Sequence, residues 1–554
     1  MPTLFERFAA RVAYWHARRV YRRFLASLED VRAVQRRTLA RVLAGLTRSD
    51  YGRDHGLAAV RDADDLRRAA PLATYEDIAP YIERMCNGEY HALLNPGRGV
   101  HMFATSSGTT ARQKLIPVTS EFVKEYRRGW NIFGLKMLSD HPRAILRPIL
   151  QGSGRYDERT TPAGVPCGAI TGLLARSQKG IVKRFYVGRP EIACIGDAHA
   201  KYYTLMRFGI VRDVAFAITA NPATLIRMAE TADAESERLL RDVRDGTLAS
   251  ELVADSALRH TLEQHLQPDP ERAAGLEAIR RTHGCLRPRD VWNVEFVACW
   301  TGGSMGHYLE RLADWWGPVP VRDIGLLASE GRVSIPFEDN TPVGVLDTQG
   351  AFFEFIPAER WDDRGAETLT AEQLETDRDY TVVLTNDAGL VRYRLDDVVR
   401  VRGRVGTTPL VEFLHRAGRV SSVAGEKLTE NQAVEAVRAA ARTLGVPPFE
   451  FILRPVWASP PFYQLHAAAD PGPGWAEVID QALCAQNEEY QSRRNSLRLE
   501  LLRVCKLPVK TLTALDAHLL GQRKSTAEQY KRPCLLTDRD RELIALLELH
   551  TEGA

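Results

Sequence analysis

The sequence predicts an α/β protein with a large N-terminal domain and a smaller C-terminal α+β domain on a hinge. Its 554 residues exceed what one hydrophobic core usually supports. Short runs of β-branched and aromatic residues alternate with helical patterns and Gly/Pro turns, as is typical of α/β proteins. After about residue 415 this alternation begins again on a smaller scale. The large domain should therefore hold mixed, parallel-rich sheets with helices on their faces.

The first part of the chain should begin with helices. Residues 1–90 have helical patterns with short connectors, and Thr74 with Asp77 forms a capping-box pattern. Residues 100–220 mix short apolar runs with turns. Two long helices are expected next, LIRMAETADAESERLLRDVRDG ending at Gly246 and PERAAGLEAIRRTHG ending at Gly284. Glycine directly after the last apolar repeat is a common helix stop.

From residue 291 the pattern changes to strands. VWNVEFVACWTGG and VPVRDIGLLASEG are strand candidates that both end in small residues. AFFEFIP, YTVVLTN and LVRYRLDDVVRV follow, and all are rich in β-branched and aromatic residues. A turn at Asn386–Gly389 should join the last two.

A second domain should follow a boundary near Phe413–Arg416. NQAVEAVRAAARTLG and WAEVIDQALCAQNEEYQSRRNSLRL are helix candidates, and FEFILRPVW between them is a strand candidate. We therefore expect a large domain over residues 1–414 and a small mobile domain over residues 417–554.

Composition argues against several classes of protein. Apolar residues make up 44% and charged residues 26%, as in ordinary globular proteins. The net charge of +3 gives little reason to expect nucleic-acid binding. No apolar run is long enough to span a bilayer. The arginine-rich N-terminus should form a helix packed on the protein, with a membrane-surface helix as the alternative.

The eight cysteines are dispersed, and none forms a CxxC pair. This argues against a zinc site or a redox motif. Dispersed cysteines in a long chain favour reduced thiols in the cytoplasm.

The stretch Thr105–Lys114, TSSGTTARQK, combines hydroxyls, a glycine and a terminal lysine. Small residues let backbone N–H groups approach an anion, and the hydroxyls add donors. A Walker loop would need glycine before the lysine, where this chain has Gln113. The stretch indicates a nucleotide-phosphate loop of another kind, or else an ordinary polar loop.

Acidic and basic residues at four later places add to this signal. Glu330, in LLASEG, follows a strand candidate and is suited to Mg²⁺ between phosphates, or is a solvated turn glutamate. Asp397, in LVRYRLDDVV, could accept from ribose hydroxyls or pair with an arginine. Lys427, in AGEKLTE, and Lys531, before Arg532–Pro533, could reach a nucleotide or be solvated lysines.

The order of these features is that of adenylate-forming ligases. The chain resembles the Gretchen Hagen (auxin-responsive) acyl acid amido synthetases, which include plant auxin- and jasmonate-conjugating enzymes and bacterial relatives. The matching pieces are SSGTTARQKLIPVT, WNVEFVACWTGGSMGHYLERL, LLASEG, LVRYRLDDVVRV, FLHR with VSSVAGEKLTE, and AEQYKRP. The resemblance implies the adenylate-forming ligase fold, with ATP and Mg²⁺ as cofactors and rotation of the small domain between two steps.

The resemblance also implies a reaction and a set of site residues. A carboxylic acid is adenylated with release of pyrophosphate, and an amine, usually an amino acid, then takes the acyl group. Glu330 would ligate Mg²⁺, Lys531 and Lys427 would act in catalysis, and Arg416 would contact the nucleotide from the hinge. The other implied cofactor-binding residues are Ser106, Ser107 and Thr109 at phosphate, Asp397 at ribose, Ser329 beside Glu330, and Thr301, Gly302 and Gly303 at the acyl–adenylate site.

Three positions depart from the family pattern. Arg112 stands in a phosphate loop one residue shorter than in plant members. Leu326, or Leu327 if the register shifts, stands where plant members carry an aromatic residue, and Asp396 replaces a glycine beside Asp397. An acid–CoA ligase is one alternative, because it shares the adenylation half and differs only in the acceptor. A non-catalytic nucleotide-binding relative is the other, because the phosphate loop is altered. The acyl acid, the amine and the oligomeric state stay open.

Overall fold

The computed structural model describes residues 18–106, 114–176, 183–418, 420–424, 426–447, 449–468, 472–508, 511–512, 514–517, 519, 532–537 and 540–551. Within these ranges the predicted α/β class is confirmed: helices flank several sheets, one of which is wholly parallel. The phosphate-loop residues 107–113 and Lys531 lie outside the described residues, as do residues 1–17 of the predicted N-terminal helix.

Residues 18–27 are helical, and the further helices start mainly at short polar residues. Thr74 caps one of them in the expected capping box, with its backbone N–H donating to Asp77 Oδ2 at 2.8 Å. The helices are α1 (Val31–Leu43), α2 (Asp50–Asp54), α3 (Ala63–Ala69), α4 (Tyr75–Cys86), α5 (Ser120–Asp140), α6 (Ile170–Arg176), α7 (Ala198–Gly209), α8 (Pro222–Ala234), α9 (Ser236–Asp245), α10 (Ser256–Glu263), α11 (Pro270–His283), α12 (Pro288–Val291), α13 (Gly306–Trp316), α14 (Glu430–Leu444), α15 (Trp475–Gln486), α16 (Glu488–Asn495) and α17 (Arg541–Thr551).

The strands are mostly short. They are β1 (Met102–Ser106), β2 (Lys114–Val118), β3 (Ile149–Gln151), β4 (Arg159–Thr160), β5 (Pro166–Gly168), β6 (Phe216–Ile218), β7 (Phe296–Ala298), β8 (Val321–Arg322), β9 (Leu327–Ala328), β10 (Gly331–Arg332), β11 (Ser334–Pro336), β12 (Gly344–Leu346), β13 (Phe352–Pro357), β14 (Leu369–Thr370), β15 (Asp379–Thr385), β16 (Tyr393–Val405), β17 (Thr408–Arg416), β18 (Val420–Ser421), β19 (Leu428–Thr429), β20 (Phe451–Val456), β21 (Phe462–Ala467) and β22 (Arg503–Lys506).

Three sheets form the large part of the molecule. The parallel sheet has the order β3-β6-β7-β8, and its two central strands are buried along their length. A mixed sheet, β2-β1-β5-β4, carries the two ends of the predicted phosphate loop. A seven-stranded antiparallel sheet, β11-β12-β17-β16-β15-β13-β14, contains the aspartate pair. Burial on both faces suits the parallel sheet, since helices cover it.

The C-terminal part has its own hydrophobic core. The sheet β20-β21-β22 packs with α14, α15 and α16 around buried side chains that include Leu453, Trp475 and Tyr490. This arrangement agrees with an α+β unit. No helix in the described part of the chain has both the length and the apolar character that crossing a bilayer requires.

Three elements differ from the sequence prediction. The helix expected over residues 225–246 is divided at Glu235 into α8 and α9, although it does end at Gly246. The helix expected from Trp475 is likewise divided at Asn487, which caps α16. The single strand expected over residues 319–331 is two strands, β8 and β9, in different sheets. Between them Gly325 has a positive φ of 86°, which turns the chain out of the parallel sheet.

Candidate active site

The two ends of the hydroxyl-rich loop meet in an antiparallel pair. Ser106 at the end of β1 stands opposite Lys114 at the start of β2, so the loop between them closes a hairpin. Ser106 is described for its backbone alone, and Ser107 and Thr109 lie outside the described residues. The Ser329 hydroxyl donates to the Thr105 carbonyl oxygen at 3.3 Å. This contact brings the Ser329–Glu330 turn to the edge of the loop.

Glu330 occupies the turn between β9 and β10 and is only 4% exposed. Its carbonyl accepts a hydrogen bond from Asn386 Nδ2 at 2.6 Å. Its carboxylate accepts from the Tyr393 hydroxyl at 3.4 Å. Burial, and then the nearby Glu330 carboxylate, raise the pKa of Tyr393 well above its usual range, so this hydroxyl stays a donor. The solvated-turn alternative for Glu330 is therefore wrong, because the side chain is buried.

Asp397 and Arg416 lie opposite each other on β16 and β17, and the charge of Glu330 also acts on Arg416. Arg416 Nε lies 3.3 Å from Asp397 Oδ1. Burial alone would lower the pKa of Arg416, but the carboxylates of Asp397 and Glu330 outweigh it and raise that pKa. The structure thus joins two carboxylates and a guanidinium that are far apart in the sequence. The aspartate lies within the long strand β16.

Asp396 has a backbone conformation that glycine adopts more readily than other residues. Its φ is +59°, in the left-handed region that glycine adopts freely and aspartate tolerates. Its carbonyl accepts from the Ala417 N–H at 2.6 Å, so this bend helps to fix the chain after Arg416.

Thr301, Gly302 and Gly303 follow the parallel strand β7, as the sequence predicts. The backbone N–H and the hydroxyl of Thr301 both donate to Asp323 Oδ2, at 2.6 and 2.7 Å. Asp323 Oδ1 accepts from the Gly325 N–H at 2.6 Å. Burial raises the pKa of Asp323 despite these donors. Asp323 thereby ties the ends of two neighbouring parallel strands together.

The two glycines lie against the strand that leads to the predicted hinge. A Cβ atom on Gly302 would lie 3.1 Å from the Phe413 carbonyl oxygen, and one on Gly303 2.7 Å from that of Leu414. Gly303 also has a φ of +59°. A side chain at Gly303 would therefore collide with β17, and one at Gly302 would be tight against it, so the two glycines let the strand end and β17 lie in contact.

Of the two lysines assigned to catalysis, the structure describes only Lys427. Lys427 is 74% exposed, with its ammonium 3.9 Å from Glu489 Oε1. Its loop is held by the buried Glu426 carboxylate, which accepts from the N–H groups of Val423 and Ala424 at 2.8 and 2.7 Å. Lys427 therefore faces outward from the C-terminal part, and Lys531 lies outside the described residues.

Sequence reasoning assigned no role to Tyr393, Asn386 or Asp323. The motif quoted for the resemblance contained Tyr393, but no spacing rule linked its hydroxyl to Glu330 on a different strand. Asp323 had one available signal, since a carboxylate directly after a parallel strand lies at the edge where such proteins bind ligands.

Three models of one protein family match successive parts of this chain. The GH3 family N-terminal domain matches residues 20–321, the GH3 family central domain residues 344–416, and the GH3 family C-terminal domain residues 431–540. The central match includes Asp397 and Arg416.

Curated relatives carry names from the same family, and a solved structure has the same fold. A jasmonoyl–L-amino acid synthetase of Oryza sativa subsp. japonica is 28% identical over 450 residues, covering 75% of each chain. An indole-3-acetic acid-amido synthetase of Arabidopsis thaliana is 27% identical over 454 residues, covering 75% of this chain and 72% of its own length. The structure of the GH3.15 acyl acid amido synthetase has the same fold, with a TM-score of 0.81 at 20% identity over 94% of each chain. Because the domain matches cover most of the sequence, this chain belongs to the GH3 family.

Proposed function

We propose that this protein is an ATP-dependent acyl acid amido synthetase. It adenylates a carboxylic acid and then transfers the acyl group to an amine, for which an amino acid is the first choice. The observation that carries the proposal is the grouping of Glu330, Asp397 and Arg416, near the Thr105 end of the hydroxyl-rich loop. The names of the curated relatives support the same reaction class.

The first step joins the acid to the α-phosphate of ATP. A carboxylate oxygen attacks the α-phosphorus, the bond to the bridging oxygen of pyrophosphate breaks, and pyrophosphate leaves with the bonding electrons. Such chemistry depends on positioning and on neutralising charge. In our assignment Asp397 accepts from the ribose hydroxyls, and the loop residues Ser106, Ser107 and Thr109 donate to phosphate. Arg416 supplies positive charge beside Asp397.

The second step releases AMP. The amine nitrogen attacks the acyl carbon, the carbon–oxygen bond to AMP breaks, and the nitrogen loses a proton to solvent. Thr301, Gly302 and Gly303 are assigned to the space beside the acyl–adenylate, because they follow β7 and contact the strand that bears Arg416.

The residues of the site are suited to binding Mg²⁺. Mg²⁺ is commonly held by one or two carboxylates together with substrate phosphates. Glu330 is a buried carboxylate with a neutral donor, Tyr393, on one oxygen. No group of three potential metal ligands occurs among the described residues, so a dedicated all-protein cage is not part of the proposal. When bound with ATP, Mg²⁺ would neutralise phosphate charge.

We further propose that residues 417–554 move as a unit against residues 1–414 and deliver Lys531 for adenylation. Lys427 would contact the nucleotide from the same unit. The exposed position of Lys427 supports this, since it leaves the ammonium accessible to a partner. We assign the reaction to the cytoplasm, because all eight cysteines are free thiols.

The test is ATP–pyrophosphate exchange with Mg²⁺ across aryl, indolic, fatty and hydroxy acids. Exchange that depends on one acid class would support adenylation and identify the acyl donor. Mass spectrometry of products formed with amino acids or with CoA then separates an amide synthetase from an acid–CoA ligase. A thioester in place of an amide would refute the amide assignment. ATP binding without exchange for any acid would favour the non-catalytic alternative.

A further inference from the structure

Glu450 is a partly buried carboxylate that binds arginines from both parts of the molecule. It lies directly before β20 of the C-terminal part, and its side chain is 16% exposed. Its Oε1 accepts from Arg311 Nη1 of α13 at 2.8 Å, and its Oε2 accepts from Arg532 Nη2 at 2.5 Å. One carboxylate therefore joins a helix of the N-terminal part to a residue near the end of the chain.

Arg532 is fixed on the C-terminal side of this contact. Its side chain is 5% exposed, and its Nη1 also donates to Asp516 Oδ2 at 3.2 Å. Two residues further on, the Cys534 N–H donates to Glu430 Oε1 at the start of α14, at 2.6 Å. The Glu450–Arg532 pair is therefore internal to the C-terminal part and would move with it.

Arg311 is fixed on the N-terminal side of the contact. Its Nη2 donates to Glu230 Oε1 of α8 at 3.1 Å, so two helices of the N-terminal part hold it. The Arg311 side chain is 32% exposed and thus more accessible than that of Arg532. The Arg311–Glu450 bond crosses between the two parts, so rotation of residues 417–554 would have to break it.

The contact lies close to the segment that we assign to the acyl–adenylate. α13 starts directly after the turn Gly303–Met305, and that turn packs on α14 of the C-terminal part. Burial raises the pKa of Tyr308 in the first turn of α13, and the charges of Arg532 and Glu450 also act on its hydroxyl. Lys531 is joined to Arg532 by one peptide bond, so fixing Arg532 limits where Lys531 can lie. Arg532 is thereby held beside the helix that follows the acyl–adenylate segment, as adenylation requires in our assignment.

We propose that Glu450 is a positioning residue for adenylation, and that its bond to Arg311 holds the small domain in the orientation of the first step. This inference rests on the proposed function and adds the contact that separates its two steps. In the second step the Arg311–Glu450 bond breaks, whereas the Glu450–Arg532 pair turns with the small domain. A partly exposed ion pair suits this role, because it contributes little enough free energy to be broken in every catalytic cycle.

The experiment compares the two steps in wild type and in variants of this contact. ATP–pyrophosphate exchange measures the first step, with the acid that wild type exchanges fastest. Amide formation from the chemically prepared acyl-adenylate of that acid measures the second step without ATP. Arg311→Met and Glu450→Gln each disrupt the bond between the parts, and Arg311→Lys keeps its charge. Glu230→Gln is the control, because it disrupts only the bond that Arg311 makes within the N-terminal part.

A distance measurement gives a second readout that needs no substrate. Spin labels replace Glu277 of α11 and Leu497 after α16, which are both exposed. The distance distribution between the labels reports how the two parts are oriented in the protein without ligand. The Arg311→Met protein should show a second distance that is minor or absent in wild type.

The expected result is a change in the first step alone. Arg311→Met should lower the exchange rate about 5–10-fold, the low end for coupling between sites because Arg311 is partly exposed. The rate from the acyl-adenylate should equal or exceed that of wild type. Glu450→Gln should act in the same direction, Arg311→Lys should stay nearer to wild type, and Glu230→Gln should match wild type in both steps.

Three results would overturn the proposal. An equal fall in both rates would mean that Arg311 and Glu450 serve general stability. A fall confined to the second step would mean that their bond holds the transfer orientation instead. Unchanged rates and distances would mean that the bond does not control the orientation of the small domain. Failure of wild type to exchange with any acid would count against the proposed function, and the spin-label distances would still decide whether the bond holds the two parts together.

Discussion

Asp397 and Arg416 face each other across two antiparallel strands, with Arg416 Nε 3.3 Å from Asp397 Oδ1. The pair fixes the orientation of a carboxylate that is only 6% exposed. Glu330 also acts on Arg416, as the raised pKa of that guanidinium indicates. Asp397, which we assign to ribose, and Glu330, which we assign to Mg²⁺, therefore both interact with the guanidinium of Arg416.

Replacing Asp397 with asparagine should weaken ATP binding. Asparagine keeps the shape but loses the charge that strengthens its hydrogen bonds to ribose hydroxyls. We expect the KM for ATP to rise about 10–100-fold with little change in the KM for the acid. The rate of ATP–pyrophosphate exchange at varied ATP concentrations would give the KM for ATP.

The matched control is Asp396→Gly. Because Asp396 has a φ of +59°, glycine fits that backbone, and the free energy of unfolding should change by less than about 1 kcal/mol. Exchange activity should be retained. If Asp396→Gly loses activity while Asp397→Asn keeps it, the ribose contact belongs to Asp396.

Replacing Glu330 with glutamine should impair the response to Mg²⁺. The substitution removes the buried negative charge and keeps the side-chain volume. The exchange rate should fall by about 10²–10³, as for other preorganised electrostatic contacts, and should need more Mg²⁺ for half-maximal activity. Exposed Glu338 provides the control, and Glu338→Gln should behave as wild type. Equal Mg²⁺ dependence in both variants would contradict the assignment.

Lys531→Ala should separate adenylation from ATP binding. Loss of a cation that stabilises charge developing on phosphate should reduce exchange by about 10²–10³ while the Kd for ATP changes little. Lys427→Ala should instead raise the KM for ATP, since we assign that exposed side chain to nucleotide contact. Calorimetry and exchange on both variants would compare them, and an unchanged exchange rate in Lys531→Ala would remove its catalytic role.

Glu450 should make stability depend on pH. It accepts from Arg311 of α13 at 2.8 Å and from Arg532 at 2.5 Å, so it links the N-terminal and C-terminal parts. Burial alone would raise its pKa, but the two arginines outweigh burial and hold it at about 2, below the ordinary 4.5. A lowered folded pKa gives stability that is complete above about pH 4.5 and lost as pH falls toward 2. The contribution at neutral pH is on the order of 3 kcal/mol.

Urea unfolding of wild type and Glu450→Gln from neutral pH down to about pH 3.5 would test this. Wild type should have the larger free energy of unfolding at neutral pH. The difference between the two proteins should narrow below about pH 4.5, because Glu450 takes up a proton in the unfolded chain there but not yet in the folded protein. If the difference in free energy of unfolding stays constant over this pH range, the charge of Glu450 does not contribute to stability.

The sequence by itself determined the fold class, many of the elements and the family. These signals are local: the Thr74–Asp77 capping box and the glycine stops at Gly246 and Gly284 act within a few residues of the helix ends. The family motifs carried Glu330, Asp397 and Arg416 in the right order. Contiguous residues were enough to recognise each of these features.

The tertiary structure alone decided where elements break and which side chains meet. The helix expected over 225–246 divides at Glu235, whose carboxylate lies 3.0 Å from His199 Nε2 on α7. Tyr393 meets Glu330, and Arg332 meets Trp130, through strands and a helix from separate stretches of the chain. Such contacts depend on how sheets and helices pack over long sequence separations, which local propensity and periodicity do not encode.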